Sequence, residues 1–217
     1  MPSSRSAFVR CPSSICGLIA GSRHARPASR VTIEIAMPPT KEALIEPVRE
    51  ADIAELIQLA RDIWHQHYPS IITVEQIEYM LAQRYHPDVI RAQLAGDTAW
   101  WDKLVLDGAM IAFTAYELGK HPREMKLDKL YVRYDLRGQG YGSRLIRHVE
   151  GAARRRGCLS LLLQVNKYNA SAIAAYRCNG FDVVESAKFD IGNGFYMDDY
   201  VMAKGIPPEL GVAAECV

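Results

Sequence analysis

The sequence lacks the features that mark several common classes of protein. Its five cysteines form no CxxC pair and no Cys/His cluster with the spacing of metal ligands, so no zinc module or disulfide framework is predicted. It contains no apolar run near the ~20 residues that cross a bilayer. We therefore expect a protein of the reducing cytoplasm that holds no metal and inserts into no membrane.

An excess of charge of either sign is also missing. The 217 residues include 26 basic and 25 acidic side chains, which give a formal net charge of +1. Proteins that bind nucleic acid through its phosphates usually carry a clear basic surplus. The balance therefore predicts neither a nucleic acid nor a strongly anionic surface as partner.

The sequence predicts one folded domain, residues 41–205, between two less regular ends. Residues 1–40 are rich in Ser and Arg and poor in acids. They lack the apolar centre of a signal peptide and fit a disordered leader, an organelle transit peptide or an over-extended start before Met37. Residues 206–217 are predicted to form a loose C-terminal tail.

Apolar periodicity within residues 41–205 predicts alternating strands and helices. From Ile53 to Trp64 apolar residues recur at i, i+3, i+4 and i+7, which is typical of an amphipathic helix. The whole pattern reads strand, helices, hairpin, strand, helix, strand, helix and two strands. This order favours an α/β (α+β) layout with a mixed sheet and one right-handed βαβ unit.

Two irregularities are predicted in the strands. Asp107 and Gly108 separate two apolar runs and indicate a tight hairpin turn. Residues 125–132 lose their alternation of apolar side chains, and a β-bulge near Asp128 and Lys129 would account for that slip.

The segment 134–146, YDLRGQGYGSRLI, lies where the strand of the βαβ unit gives way to its helix. The N–H groups at a helix start have no partner within the helix, and the helix dipole is positive there. Gly138, Gly140 and Gly142 would let an anion approach those groups, with Arg137 beside them. The spacing predicts a phosphate or pyrophosphate cradle, and a turn that merely needs positive φ is the alternative.

Two common nucleotide-binding motifs do not fit this segment. No Lys-Ser or Lys-Thr pair follows the glycines, as the P-loop requires. The dinucleotide fingerprint fails because Ser143 replaces its third glycine, and no carboxylate near Gln164 could hold a ribose hydroxyl. ATP and NAD are therefore disfavoured.

The six residues from Arg137 to Gly142, RGQGYG, resemble the glycine motif of the GNAT superfamily of N-acetyltransferases, and NASAIAAYRCNGF at 169–181 resembles its N…Y…GF segment. The likeness extends over residues 44–204. It implies a GNAT-like three-layer fold, with a mixed and mostly antiparallel sheet of about seven strands around a central βαβ acetyl-CoA unit. It also implies acetyl transfer from acetyl-CoA to a primary amine, on a small molecule or a peptide.

The resemblance assigns roles to individual residues. Tyr176 is the expected general acid, because a phenol with a pKa near ~10 can protonate a departing thiolate with a pKa near ~8.5. Asp128 is the candidate base, with Glu124 or a water chain as alternatives, because Gln164 stands where relatives often have Glu. The expected cofactor-binding residues are Leu130, Tyr131, Val132, Arg137, Gly138, Gln139, Gly140, Tyr141, Gly142, Asn169 and Tyr176.

The acceptor amine stays open at this stage. The first helices and the last hairpin, where family substrates enter, offer Trp64, His65, His67, Tyr68, Tyr79, Asp190, Asp198 and Asp199. Acids and aromatic rings suit a small polyamine-like cation, and the closing DIGNGFYMDDYVMAK resembles the polyamine acetyltransferase branch. An acyl-CoA-binding sensor or scaffold without turnover is the alternative function. The oligomeric state is also open, a homodimer included.

Overall fold

The computed structural model describes residues 42–208, so the leader prediction and the end of the predicted tail lie outside the described residues. The described strands are β1 (Leu44–Pro47), β2 (Ala99–Leu106), β3 (Ala109–Leu118), β4 (Glu124–Val132), β5 (Ser160–Asn166), β6 (Asp182–Gly192) and β7 (Phe195–Gly205). The described helices are α1 (Ile53–His67), α2 (Val74–Arg84), α3 (Pro87–Ala95), α4 (Tyr141–Arg155) and α5 (Ala170–Cys178). Short 3₁₀ turns precede α1 and α4.

The strands form one mixed sheet in the order β1-β2-β3-β4-β5-β7-β6. Every neighbouring pair is antiparallel except β4 and β5, which run parallel and are joined by α4. Helices α1 to α3 bury their apolar stripes with Trp101 and Phe113 on one face of the sheet. Helices α4 and α5 pack with Leu161 and Met202 on the other face. The predicted three-layer fold and its βαβ unit are confirmed.

The hairpin between β2 and β3 turns on two residues with positive φ. Asp107 has φ of 53° and Gly108 has φ of 80°. Positive φ at both central residues is the geometry that matches the right-handed twist of paired strands. The predicted Asp107-Gly108 hairpin is confirmed.

The predicted bulge lies in β4. Ala115 of β3 pairs with Lys129, but the next residue, Tyr116, pairs with Leu127. Asp128 is therefore the extra residue on the bulged strand. A bulge increases the local twist of its strand and bends it.

A cleft opens between β4 and β5 at this bulge. The two strands pair only from Glu124 opposite Ser160 to Leu127 opposite Leu163. Beyond those positions β4 stays paired with β3 and β5 stays paired with β7, but the two strands no longer pair with each other. The extra twist at the bulge accounts for this divergence, which leaves room between two parallel strands in the middle of the sheet.

The folded part reaches into the segment predicted as a loose tail. Ile206 is only 3% exposed, and its N–H donates to the carbonyl of Leu159 at 2.8 Å. At least the first residue of the predicted tail is therefore packed in the core.

Candidate active site

One cavity of about 1290 Å³ follows the cleft and collects most of the predicted site residues. Its walls come from β4, from the end of β3, from β5, β6 and β7, from the start of α4, and from α1, α2 and α5. The predicted residues that line it are Asp128, Leu130, Tyr131, Val132, Arg137, Gly138, Gly140, Tyr141, Gly142, Asn169 and Tyr176. Gln139 is exposed and is not part of the wall.

The glycine turn presents open backbone to this cavity. Gly140 caps the N-terminus of α4 with φ of 85°, and Gly138 has φ of 77°. A Cβ atom built at either position meets nothing within 4 Å. Positive φ alone explains these two glycines. Gly142 has no such φ, and its Cβ would lie at an ordinary 3.9 Å from Val132 Cγ2, so the protein's own geometry does not require glycine there.

Arg137 is held beside the turn by one partner close in the chain and one distant partner. Its Nη1 lies 3.1 Å from Nδ1 of His67, and its Nε donates to the carbonyl of Val132 at 3.3 Å. Nε2 of His67 lies 3.1 Å from Oδ1 of Asn169. Burial lowers the pKa of His67, and nearby Arg137 lowers it further. A neutral ring that accepts from Arg137 and donates to Asn169 satisfies all three side chains.

Asn169 has the helix-capping role that its position allows. Its Oδ1 accepts from the N–H of Ala172 at 3.3 Å, at the start of α5. The side chain is 5% exposed and lines the cavity. A contact between Asn169 and a cofactor stays a prediction.

Tyr176 of α5 lines the same cavity. Its ring packs edge-on against Phe181, with 5.8 Å between the centroids. Burial raises the pKa of Tyr176 above 10.0, and nearby Tyr68 raises it further. The phenol therefore keeps its proton at neutral pH, as a general acid must before the reaction.

Asp128 sits in a cluster of cations. Its carboxylate contacts Nζ of Lys129, lies 2.9 Å from Nζ of Lys126 and 3.9 Å from Nη1 of Arg84. Burial opposes its ionisation, but the two lysines outweigh burial and hold the pKa of Asp128 far below 3.8. A carboxylate stabilised in this way is a poor proton acceptor, so the structure weakens the prediction that Asp128 is the base. Glu124, the alternative, lines the cavity at the opposite end of β4 from Val132.

The candidate acceptor residues divide into two groups. Trp64, His67, Tyr68 and Asp199 line the cavity, whereas His65, Tyr79, Asp190 and Asp198 do not. Each of the second group makes a contact elsewhere. His65 bonds Glu78, the Tyr79 hydroxyl donates to the carbonyl of Ile191, Asp190 accepts from the N–H of Gly192, and Asp198 pairs with Lys167.

Asp199 has an environment that the sequence did not predict. The sequence placed it among the acceptor-side residues and gave it no catalytic role. It is 6% exposed, and its Oδ1 has no hydrogen-bond partner within residues 42–208. Burial raises the pKa of Asp199 to about 6; Asp198 also raises it, while Arg84 and Lys167 lower it. Two adjacent acids in a strand point to opposite faces, so the pair Asp198-Asp199 was the signal that one of them must turn inward.

The described part of the chain offers neither a metal centre nor a membrane-spanning helix. Across residues 42–208 no group of three or more His, Cys, Asp and Glu side chains is arranged to hold a metal ion. In the same residues no helix is long and apolar enough to cross a membrane.

Comparison with known proteins places the chain in a family. The model of the acetyltransferase (GNAT) family matches residues 54–181, more than half of the chain. A spermidine N(1)-acetyltransferase of Thermoplasma acidophilum is 26% identical over 151 residues, which cover 68% of this chain and 90% of that protein. A thialysine N-epsilon-acetyltransferase of Bos taurus is 25% identical over 151 residues, which cover 63% of this chain and 82% of that protein.

Solved structures share the fold. The PaiA N-acetyltransferase of Thermoplasma acidophilum, in complex with coenzyme A, gives a TM-score of 0.65 at 21% identity, over 76% of this chain and 99% of that one. A GCN5-related N-acetyltransferase of Rhodopseudomonas palustris gives a TM-score of 0.62 at 23% identity, over 75% of this chain and 94% of that one. The protein belongs to the GNAT acetyltransferase family and is an N-acetyltransferase that uses acetyl-CoA as its co-substrate.

Proposed function

We propose that this protein transfers the acetyl group of acetyl-CoA to a primary amine of a small cationic molecule, of the polyamine or lysine-like kind. The observation that carries the proposal is that one cavity contains the open glycine turn, the protonated phenol of Tyr176 and the buried carboxylate of Asp199. Two relatives named for spermidine and thialysine, both small amines, support this choice of acceptor.

The open turn suits the diphosphate of acetyl-CoA. Unpaired N–H groups at the start of α4 and the positive end of its dipole favour an anion. The absence of any protein atom in front of Gly138 and Gly140 leaves room for it. Arg137 supplies a cation at the rim. The cleft between β4 and β5 would hold the extended arm that ends in the thioester.

The reaction needs three groups from the chain. A neutral amine attacks the thioester carbonyl, and the charge that develops on its oxygen needs a donor, for which the N–H near Val132 is the candidate. The departing thiolate takes the proton of Tyr176, whose raised pKa keeps that proton available until the C–S bond breaks. The ammonium of the acceptor must first lose a proton to a base.

The aromatic side of the cavity suits an alkyl ammonium. Trp64, Tyr68 and Tyr131 form one aromatic group, with Trp64 4.7 Å from Tyr68 and 6.0 Å from Tyr131 between ring centroids. Tyr68 and Trp64 line the cavity together with Asp199. Rings of this kind bind methylene chains and cations through their faces, and a carboxylate nearby adds charge complementarity.

A screen of thiol release from acetyl-CoA tests the proposal. The panel contains spermidine, spermine, thialysine, lysine and a peptide with a free N-terminus, and mass spectrometry identifies each product. We expect thiol release with at least one small amine and little with the peptide. Acetyl-CoA that raises the melting temperature without thiol release from any acceptor would overturn the proposal in favour of the sensor. A strong preference for the peptide would overturn the choice of acceptor.

A further inference from the structure

Asp199 of β7 lines the cavity that follows the cleft. It sits on β7 opposite Asn166, the last residue of β5. Its side chain belongs to the wall of the cavity that also contains Tyr68 and Tyr176. Tyr68 interacts electrostatically with each of the other two residues. It raises the pKa of Tyr176, and Asp199 in turn raises the pKa of Tyr68. The carboxylate and the proposed acid therefore line one cavity, with Tyr68 in its wall as well.

An unsatisfied carboxylate oxygen is unusual at this depth. Buried polar atoms are nearly always hydrogen-bonded, because removal from water without a partner costs free energy. Oδ1 of Asp199 has no partner within the described residues, although the side chain is only 6% exposed. Within the described residues this buried oxygen is therefore a hydrogen-bond acceptor that no protein group uses.

The two neighbouring carboxylates differ from Asp199. Asp198 is 38% exposed, pairs with Lys167 and faces away from the cavity. Asp128 faces the cavity but is neutralised by Lys126 and Lys129. Of these three acids, Asp199 alone both lines the cavity and has a carboxylate oxygen without a hydrogen-bond partner within residues 42–208.

We propose that Asp199 is the general base, whose carboxylate binds the ammonium of the acceptor and takes its proton before the attack on the thioester. The proposal rests on the proposed function, because it concerns the same site and the same amine.

The step balances with the groups already named. The N–H bond of the ammonium breaks, and the proton forms an O–H bond with Asp199. The lone pair on nitrogen forms the C–N bond, the C–S bond breaks, and the thiolate takes the proton of Tyr176. Asp199 then releases its proton to solvent. The nitrogen, positively charged once the C–N bond has formed, loses a second proton to the phenolate of Tyr176. The products are the neutral amide, the free thiol and one released proton, so no further reactant is needed.

The ionisation of Asp199 suits this role. Burial and Asp198 raise its pKa to about 6, against the opposing charges of Arg84 and Lys167, while Tyr68 faces it from the end of α1. At neutral pH the group is mainly ionised, yet it is a stronger base than an ordinary carboxylate. General bases work best when their pKa lies near the working pH. Burial also disfavours the charged form of the amine, which reduces the gap between the two groups.

The test compares Asp199→Asn, Asp199→Glu and the matched control Asp198→Asn with the acceptor that gives most thiol release. For Asp199→Asn we expect a fall in kcat of about 100-fold or more, loss of the rising limb of the pH–rate profile near pH 6, and unchanged acetyl-CoA affinity. Asp199→Glu keeps a carboxylate and should recover part of kcat and the limb. Asp198→Asn should keep kcat within about threefold, with the limb moved to lower pH because a neighbouring negative charge is lost.

Each result decides between the proposals. An Asp199→Asn variant that keeps kcat and the pH limb would overturn the role of Asp199 while leaving the acetyltransferase function intact. A rise in KM with unchanged kcat would also overturn it, since it would make Asp199 a binding group only. A wild-type protein without turnover on any acceptor would overturn both. A measured melting temperature at least equal to that of the wild type excludes misfolding of Asp199→Asn as the cause of lost activity.

Discussion

Nη1 of Arg137 lies 3.1 Å from Nδ1 of His67, across 70 positions of the chain. His67 is the last residue of α1, and Arg137 leads into the glycine turn, so the contact brings these two segments together at the cavity wall. His67 also reaches Asn169 at the cap of α5. Together the two contacts of His67 join α1, the segment before the glycine turn and the cap of α5, and they fix the position of the guanidinium beside that turn.

Replacement of Arg137 by Ala should weaken acetyl-CoA binding about tenfold, since a hydrogen bond to a charged group contributes roughly 1.5–3 kcal/mol. His67→Ala should weaken it less, because the cation remains and only its anchor is lost. Isothermal titration calorimetry measures both. The control is Arg133→Ala, which removes an exposed arginine paired with Asp135. An Arg137→Ala protein that binds as tightly as the wild type would show that the guanidinium does not reach the ligand.

Substitution of Gly142 by Ala should change stability and binding in opposite directions. Its backbone is not in the left-handed region and its Cβ would make an ordinary contact, so Ala should stabilise α4 by roughly 0.5–1 kcal/mol. The added methyl group should still raise the dissociation constant for acetyl-CoA several-fold if the ligand contacts the backbone there. Thermal melting and calorimetry measure the two effects.

Gly151→Ala is the matched control for this substitution. Gly151 lies in the same helix, and its Cβ would approach only the flexible end of Arg155. The melting temperature should rise and the dissociation constant should stay unchanged. Equal binding by both variants would argue against close approach of the ligand at Gly142. Gly138 and Gly140 are unsuitable for this test, since their positive φ makes any side chain strained.

The Tyr176→Phe variant should lose about 100-fold in turnover while its acetyl-CoA affinity stays near that of the wild type. The ring and its packing against Phe181 remain, and only the proton donor is removed. Steady-state thiol release and calorimetry give the two values. Tyr168→Phe, at an exposed position in the same region, serves as control. Unchanged turnover in Tyr176→Phe would remove the phenol from the mechanism.

Loss of the charge at Asp128 should affect stability more than catalysis. Lys129 is 6% exposed, and Asp128→Asn would leave its ammonium without its carboxylate. Removal of one partner from a buried ion pair costs about 3 kcal/mol or more, so the midpoint of urea unfolding should fall. The shape of the pH–rate profile should not change. A variant of normal stability that loses the limb near pH 6 would instead restore Asp128 as the base.

The pH dependence of stability should identify Asp199 independently of activity. Its pKa is raised from 3.8 to about 6 in the folded state, so Asp199 binds its proton more tightly in the folded protein than in the unfolded chain. The stability that the protonated carboxyl contributes is fully present below about pH 3.8 and is lost as pH rises through about 6. Asp199→Asn should therefore gain stability relative to the wild type between pH 5 and about pH 7. Parallel melting temperatures of the two proteins across that range would contradict the raised pKa.

Local chemistry made much of the fold predictable. The pair Asp107 and Gly108 tolerates positive φ, so a short segment determines the hairpin. Asn169 caps a helix through its own side chain, which again depends on a few neighbouring residues. The lost alternation around Asp128 indicated the bulge because strand geometry has a strict period of two.

Other features depend on contacts that no short segment contains. In a regular strand Asp128 and Lys129 would point to opposite faces. Their contact is a consequence of the bulge. The sequence predicted the position of the bulge but not the ion pair that it creates. The phase of β7, which turns Asp199 rather than Asp198 inward, depends on its register with β5. The contact of His67 with Asn169 spans 102 positions and leaves no local pattern.

The short pairing of β4 with β5 has a mechanical consequence. Four residue pairs connect the half of the sheet that carries the glycine turn with the half that carries Asp199. A ladder of that length resists shear weakly, and backbone amides beside it should exchange with deuterium faster than those deep in β3. A thioester arm bound in the cleft would bridge the two halves of the sheet. Slower deuterium exchange of the amides along both edges of the cleft would therefore detect acetyl-CoA binding before the acetyl group is transferred.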